Sequence, residues 1–203
     1  MDITTPTPTP TPTPLNLAVV LGSNRDGRFG PVVSEWFLSR VGPREDFDVE
    51  LVDLAEAQLP TALSYQPTAD VQTELAKVSP KLAGADAFVV VTPEYNHSFP
   101  ASLKSLIDWH FTEWQAKPVG FVSYGGISGG LRAVEQLRQV FAEMHAVTVR
   151  DTVSFHNAHA HFDDEGRHRD PDGPDAAAKT MLDQLAWWGN ALRTAKAKAP
   201  YAG

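Results

Sequence analysis

The chain has 203 residues, 42% of them hydrophobic and 21% charged, a composition suited to one folded domain that buries roughly 70% of its unfolded surface. Seventeen basic against 25 acidic side chains leave a formal charge of −8, which argues against bulk electrostatic binding to nucleic acid or to an anionic membrane. Cysteine is absent, so disulfides, cysteine-ligated metal centres and a catalytic thiol are excluded together, and any redox chemistry here needs a borrowed electron carrier.

No run approaches the ~20 apolar residues of a membrane span, and Met1-Asp2-Ile3 lacks the cationic start of a secretory signal. The expected location is the cytoplasm. Residues 4–14 read TTPTPTPTPTP. Each proline removes a backbone donor and restricts the residue before it, so residues 1–14 are expected to form a disordered, extended tail and residues 15–203 the folded domain.

From there strands and helices are expected to alternate. Leu15 to Leu21 (LNLAVVL) is a short apolar run ended by Gly22 and reads as a buried strand. Pro31 to Arg40 follows as a helix, with proline in its first turn and Val32, Val33, Trp36 and Phe37 forming one stripe. Phe47 to Leu54 alternates like a half-covered strand, and Ala69 to Lys81 is helical in composition. Ala87 to Thr92 (AFVVVT) is the most strand-like run. Ala101 to Phe111 reads as a helix, Val119 to Ser123 as a fourth strand, Leu131 to Met144 as a helix and Ala146 to Val153 as a fifth strand. Residues 156–175 are polar and turn-rich, a long excursion before a closing helix over Asp175 to Lys198. Strands apolar on both sides imply a parallel sheet covered on both faces. The expected fold is therefore α/β, a flavodoxin-like three-layer sandwich with five parallel strands in the order 2-1-3-4-5.

In such a sheet, ligands sit beyond the carboxyl ends of the strands, at the switch in strand order. The loops after strands one, three and four line that crevice. The first is Gly22-Ser23-Asn24-Arg25-Asp26-Gly27-Arg28-Phe29-Gly30. Free N–H groups at a helix N-terminus bind phosphate, the glycines allow close approach, and Arg25 and Arg28 supply forked donors. Arg28-Phe29 stands where a Walker loop needs Lys-Ser/Thr, and Asn24 stands where the dinucleotide fingerprint needs its second glycine, so neither motif applies. A glycine-rich turn with two surface arginines is the plain alternative. The second loop is Thr92-Pro93-Glu94-Tyr95-Asn96-His97-Ser98-Phe99-Pro100. Its fixed backbone donors and acceptors suit the pyrimidine rim of a flavin, Tyr95 suits a ring, and Asn96 both donates and accepts; a rigid surface turn is the alternative. The third is Ser123-Tyr124-Gly125-Gly126-Ile127-Ser128-Gly129-Gly130, whose glycines point to close backbone approach to a flat ligand or to a flexible loop. Ser128 is a candidate N-cap of the next helix.

The stretches GSNRDGR, TPEYNHSFPASLKSLIDW and SYGGISGG, in this order and spacing, resemble the NADPH-dependent FMN reductase family of flavin, quinone, azo-dye and chromate reductases. The similarity spans roughly Leu15 to Val149. It implies a non-covalently held FMN. By position, Ser23, Arg25 and Arg28 with the backbone of Gly27, Phe29, Gly30 and Pro31 would bind the phosphate. Pro93, Glu94, Tyr95 and Asn96 would line the isoalloxazine, and Ser123, Tyr124, Gly125 and Gly126 would close its other edge. The resemblance also implies hydride transfer from NADPH, with NADH possible, to the flavin N5 and onward by a ping-pong cycle to a small-molecule acceptor: free flavin, a quinone, an azo compound or similar. Supply of reduced flavin to a flavin-dependent monooxygenase partner is a further option, and a homodimer or homotetramer is the implied assembly. No side-chain acid or base is expected to be indispensable, because the chemistry is the cofactor's; His97 is the nearest titratable candidate for proton delivery. Trp109, Phe111 and Trp114 suit either a subunit interface or the packing of a helix end.

His156, His159, His161 and His168 crowd one segment but lack an orderly ligand framework, so no metal site is assigned. The rival functions are a flavodoxin-type electron carrier and a flavin-binding interaction protein that docks through the Thr-Pro tail. Arginines in the first loop, where carriers favour serine and threonine, speak for the enzyme.

Overall fold

A computed structural model describes residues 13–203; the tail expected over residues 1–14 lies outside the described residues except for Thr13 and Pro14. The elements run β1 (Leu15–Leu21), α1 (Gly30–Val41), β2 (Phe47–Asp53), α2 (Ala69–Ala76), α3 (Ser79–Gly84), β3 (Ala87–Pro93), α4 (Ala101–Trp109), β4 (Pro118–Tyr124), α5 (Leu131–Glu143), β5 (Val147–Thr148), β6 (Val153–Phe155), α6 (Ala158–His161) and α7 (Asp172–Lys198). All strand pairs are parallel, in the order β2-β1-β3-β4-β5, with β6 also on β4.

The apolar strands dictate this arrangement because their side chains alternate between two faces. Leu15, Leu17, Val19 and Leu21 of β1 join Val33, Trp36 and Phe37 of α1 and Met181, Leu182 and Leu185 of α7 in one core. Ala18 and Val20 turn the other way, onto Leu82 of α3, Leu103, Leu106 and Ile107 of α4 and Leu137 and Phe141 of α5. Every residue of β3 and β4 is buried, as both-sided cover requires.

Three expectations are corrected. The helix expected over 69–81 is two helices, because Pro80 has no N–H to continue the ladder; Ser79 Oγ donates to Leu75 O (2.8 Å), and α3 restarts with Pro80 in its first turn. The fifth strand is two short pieces, which makes six strands among the described residues. Four residues separate Thr148 from Val153 but only two separate their partners Val119 and Val122, so the backbone must leave the ladder. The displaced groups are taken elsewhere: Arg138 donates to Val149 O (2.7 Å) and Arg150 O (2.8 Å), and Asp151 N donates to Gln184 Oε1 (3.2 Å). Trp114 is a core residue, fully buried against Phe88 and Phe141, so helix-end packing holds for it and an interface does not. Phe111 stays half exposed, and Trp109 Nε1 donates to Pro60 O (2.8 Å).

Candidate cofactor site

Parallel strands end together, so the loops after β1, β3 and β4 leave the sheet at one rim. Backbone bonds start the assembly: Gly22 N donates to Val91 O (2.9 Å) and Glu94 N to Tyr124 O (3.1 Å). Side chains complete it. The Tyr124 hydroxyl donates to Ser23 Oγ (3.2 Å), joining the third loop to the first. The Arg25 guanidinium lies 5.4 Å over the Tyr95 ring, joining the first to the second. Glu94 accepts from Ser128 Oγ (2.7 Å) and pairs with Arg132 Nε (2.7 Å), joining the second to the third.

The first loop presents backbone donors. Among the described residues, no group accepts the N–H of Arg25, Arg28, Phe29 or Gly30, while Gly27, at φ +62°, donates to its neighbour Asp26. Those of Arg28, Phe29 and Gly30 stand at the N-terminus of α1, whose dipole favours an anion, and Pro31 has no N–H to waste there. The end of the loop is also packed tightly from beneath. A Cβ on Gly30 would lie 2.4 Å from Ser23 Oγ and 2.8 Å from the Tyr124 hydroxyl, so a side chain there has no room.

The two arginines part company. Arg25 is exposed at the rim. Arg28 is folded back: its Nη1 and Nη2 take both oxygens of Asp53 (2.5 and 2.6 Å), and Nη1 also donates to Ser23 O (2.7 Å). The hydrogen bond to Asp53 raises the Arg28 pKa against the effect of burial. Burial would raise that of Asp53, but the guanidinium and the Ala55 N–H hold it below the usual carboxylate range. Asp53 carried no signal in the sequence, because its partner is 25 residues away.

Ser23 and Ser123 are fully buried, and Ser123 Oγ donates to Gly129 O (2.8 Å), so both serines brace loops from beneath. Tyr124 is 6% exposed, and burial pushes its hydroxyl up to about 12, so it is a neutral strut. Phe29 packs on Tyr124 and Phe162, its ring 4.2 Å from His159. Pro93 is buried in the end of β3. Glu94 is held inward by the contacts above. Tyr95 and Ser98 exchange two backbone bonds (2.9 and 3.0 Å) around Asn96 and His97, whose positive φ angles of 49° and 75° mark a tight primed turn. Asn96 is left exposed at its tip. The His97 ring is 3.0 Å from Arg132 Nη1; arginine only donates, so Nδ1 accepts and Nε2 carries the hydrogen. Ser128 is not the expected N-cap, because Gly130 occupies that place and the serine hydroxyl goes to Glu94.

The polar excursion belongs to the rim. Asn157 N donates to Gly126 O (2.8 Å), Ala158 N to Gly125 O (3.1 Å), and Gly125 N to Phe155 O (3.2 Å). His161 and His168 stack 5.6 Å apart, and burial lowers the His168 pKa. Among the described residues, no three His, Asp or Glu side chains converge to hold a metal ion.

A doubly wound parallel sheet with three loops meeting at its switch point defines a flavodoxin-like protein. The solved structure of the flavoenzyme FerB, an NAD(P)H:(acceptor) oxidoreductase from Paracoccus denitrificans, is similar in fold: the TM-score is 0.65 at 20% identity, covering 87% of this chain and 97% of that one. The profile of the NADPH-dependent FMN reductase family matches residues 15–160, and the chain belongs to that family. An NAD(P)H-dependent FMN reductase of Schizosaccharomyces pombe is 39% identical over 132 residues, and the match spans 61% of this chain and 64% of that protein, less than two thirds of its length. A quinone reductase of Escherichia coli is 32% identical over 146 residues, which is 66% of this chain and 73% of the relative.

Proposed function

We propose that the chain is an FMN-dependent NAD(P)H oxidoreductase that passes electrons through bound FMN to a small acceptor such as a quinone, an azo compound or free flavin. The observation that carries this reading is the set of unclaimed backbone N–H groups at the start of α1, on the same rim as Arg25 and Tyr95. They match the phosphate of a mononucleotide, and Gly30 beside them packs on Ser23, Leu21 and Tyr124 with no room for a side chain, which fixes the loop from beneath. Family membership supplies the chemistry the site is built for.

A bound FMN would supply two-electron transfer between NAD(P)H and the second substrate. The protein's part is to hold and orient. Arg25 would hold the phosphate together with the N–H groups of Arg28 and Phe29, and Ser23 shapes the loop. The turn of Tyr95 and Asn96 would line the ring, and the backbone of Gly125 and Gly126 would form its other edge. Glu94, Ser123 and Tyr124 hold these loops in place. Residues 15–203 act as one unit, in the cytoplasm, and as a homodimer or homotetramer. No helix among the described residues is long and apolar enough to cross a membrane.

The test is the visible spectrum of the purified chain. Flavin absorbance, bleached anaerobically by NADPH and restored by menadione with steady turnover, supports the reading. A flavin that NADPH leaves oxidised makes the protein an electron carrier, and a colourless chain that takes up no FMN removes the proposal.

A further inference from the structure

We propose that Asp53 is a positioning residue for the flavin phosphate, and that the preference of this chain for FMN over riboflavin depends on its clamp on Arg28. The inference rests on the function proposed above and concerns which residue shapes the phosphate loop.

Sheet register puts the carboxylate there. β1 and β2 pair in parallel with Leu21 opposite Asp53, so the last residue of β2 stands beside the start of the first loop. Arg28 crosses to it and is held at both nitrogens, the fork matching the carboxylate. The same Nη1 returns to Ser23 O, five residues earlier in the loop. One side chain thus closes the loop on itself and ties it to the neighbouring strand. The ion pair is largely sheltered, with 17% and 14% of the two side chains exposed. Asp53 is itself oriented by the Ala55 N–H (3.0 Å).

The alternative use of Arg28 is as a direct phosphate ligand, and the two uses conflict. A guanidinium that turned to the phosphate would leave a sheltered carboxylate unpaired close to an incoming dianion. Arg25, exposed on the rim, needs no such exchange. Arg28 therefore serves the phosphate through the shape it imposes on the loop and through its own backbone N–H.

The two uses predict opposite signs for one substitution. If Arg28 were a ligand held back by Asp53, then Asp53→Asn would free it, remove a negative charge near the phosphate and tighten FMN. If Asp53 positions the loop, the same change loosens FMN. Riboflavin has the ring and the ribityl chain but no phosphate, so it reports on the ring site alone.

The experiment titrates the flavin-stripped full-length chain with FMN and with riboflavin, in the wild type, Asp53→Asn, Arg28→Ala and the double variant. In Asp53→Asn the FMN Kd is expected to rise ~tenfold or more, the scale of a lost charge-assisted bond. The riboflavin Kd should stay within about twofold, since no phosphate contact is involved. In the Arg28→Ala background, Asp53→Asn should cause no further loss of FMN affinity, because its positioning effect acts through Arg28 and only the repulsion of an unpaired carboxylate is left to remove. Arg28→Lys keeps the charge but loses the fork and should shift the FMN-to-riboflavin ratio the same way; it serves if Asp53→Asn does not fold. An FMN Kd that is unchanged or lower in Asp53→Asn overturns the inference. So does an equal rise for both flavins, which marks a merely structural role, or additive effects in the double variant. A wild type that binds neither flavin overturns the proposed function and this inference with it. A wild type that prefers FMN, beside variants that keep the preference, overturns the inference alone.

Discussion

Replacing Gly30 by alanine should destabilise the protein, although the usual rule for a helical glycine predicts the reverse. Gly30 is the first residue of α1, and its φ is not in the left-handed region. On backbone grounds alone, alanine there would gain up to ~1 kcal/mol from helix propensity and reduced freedom of the unfolded chain. The packing opposes this. The added Cβ would lie 2.4 Å from Ser23 Oγ, 2.7 Å from Leu21 Cδ1 and 2.8 Å from the Tyr124 hydroxyl. Ser23 is fully buried, Leu21 is 2% exposed and Tyr124 6%, so none has free space to move into. Overpacking of this kind costs about 1–3 kcal/mol, and three contacts this short place it at the upper end. The net loss is about 2 kcal/mol, or a Tm lowered by about 4–8 °C for a chain of this size. Gly173→Ala is the control: that glycine is exposed on α7 with nothing within 4 Å of the added carbon, and its Tm should hold or rise. Differential scanning fluorimetry with urea titration reads both. A Gly30→Ala protein as stable as the wild type would refute the packing argument, because the loop would then have slack that the buried contacts deny.

Arg25→Ala should cost under ~1 kcal/mol of stability, since its guanidinium is exposed and lies over the face of Tyr95 without a hydrogen bond among the described residues, yet raise the FMN Kd ~10- to 100-fold by loss of a charge-assisted bond; equal flavin retention on gel filtration would count against the phosphate assignment. Glu94→Gln should lower stability by about 1–3 kcal/mol, because it weakens the bonds to Arg132 and Ser128 that tie the third loop to the second; an unchanged urea midpoint would contradict that. Lys117 sets a pH dependence. Its ammonium donates to Leu82 O and Ala83 O while 7% exposed, and burial, aided by the Lys196 charge, pushes it down to about 8. Between pH 8 and the ordinary lysine range the folded chain binds fewer protons than the unfolded one, so stability should rise with pH there, by up to about 3 kcal/mol. Lys117→Met should flatten the rise in urea midpoints, and a wild type without that rise would refute the buried charge. Tyr124 works in the other direction above pH 10, because the folded chain keeps a phenol proton that the unfolded chain loses.

Much of the architecture was written locally. The runs LNLAVVL and AFVVVT are apolar without interruption, and between them lie stretches of helical period, so buried strands and covering helices follow from side-chain pattern alone. The strand order and the convergence of the loops after β1, β3 and β4 followed, because parallel strands linked by crossovers have few ways to be arranged. What pattern could not carry was any choice made by a distant partner. The break at Pro80 needed only the rule that proline cannot donate, yet the helical composition around it concealed the stop. The split of the fifth strand depends on Arg138 and Gln184, residues of two different helices that take the backbone groups left over by its two extra residues.

The arginines of the first loop make the same point most sharply. Arg25 and Arg28 are alike in type, three residues apart, and equally suited on paper to a phosphate. Only the register of β1 against β2 brings a carboxylate to one of them and leaves the other at the rim. Hydrophobic period is a property of neighbouring residues and survives in the linear chain, whereas the pairing of a charge is a property of a distance in space, which exists only once the sheet has formed.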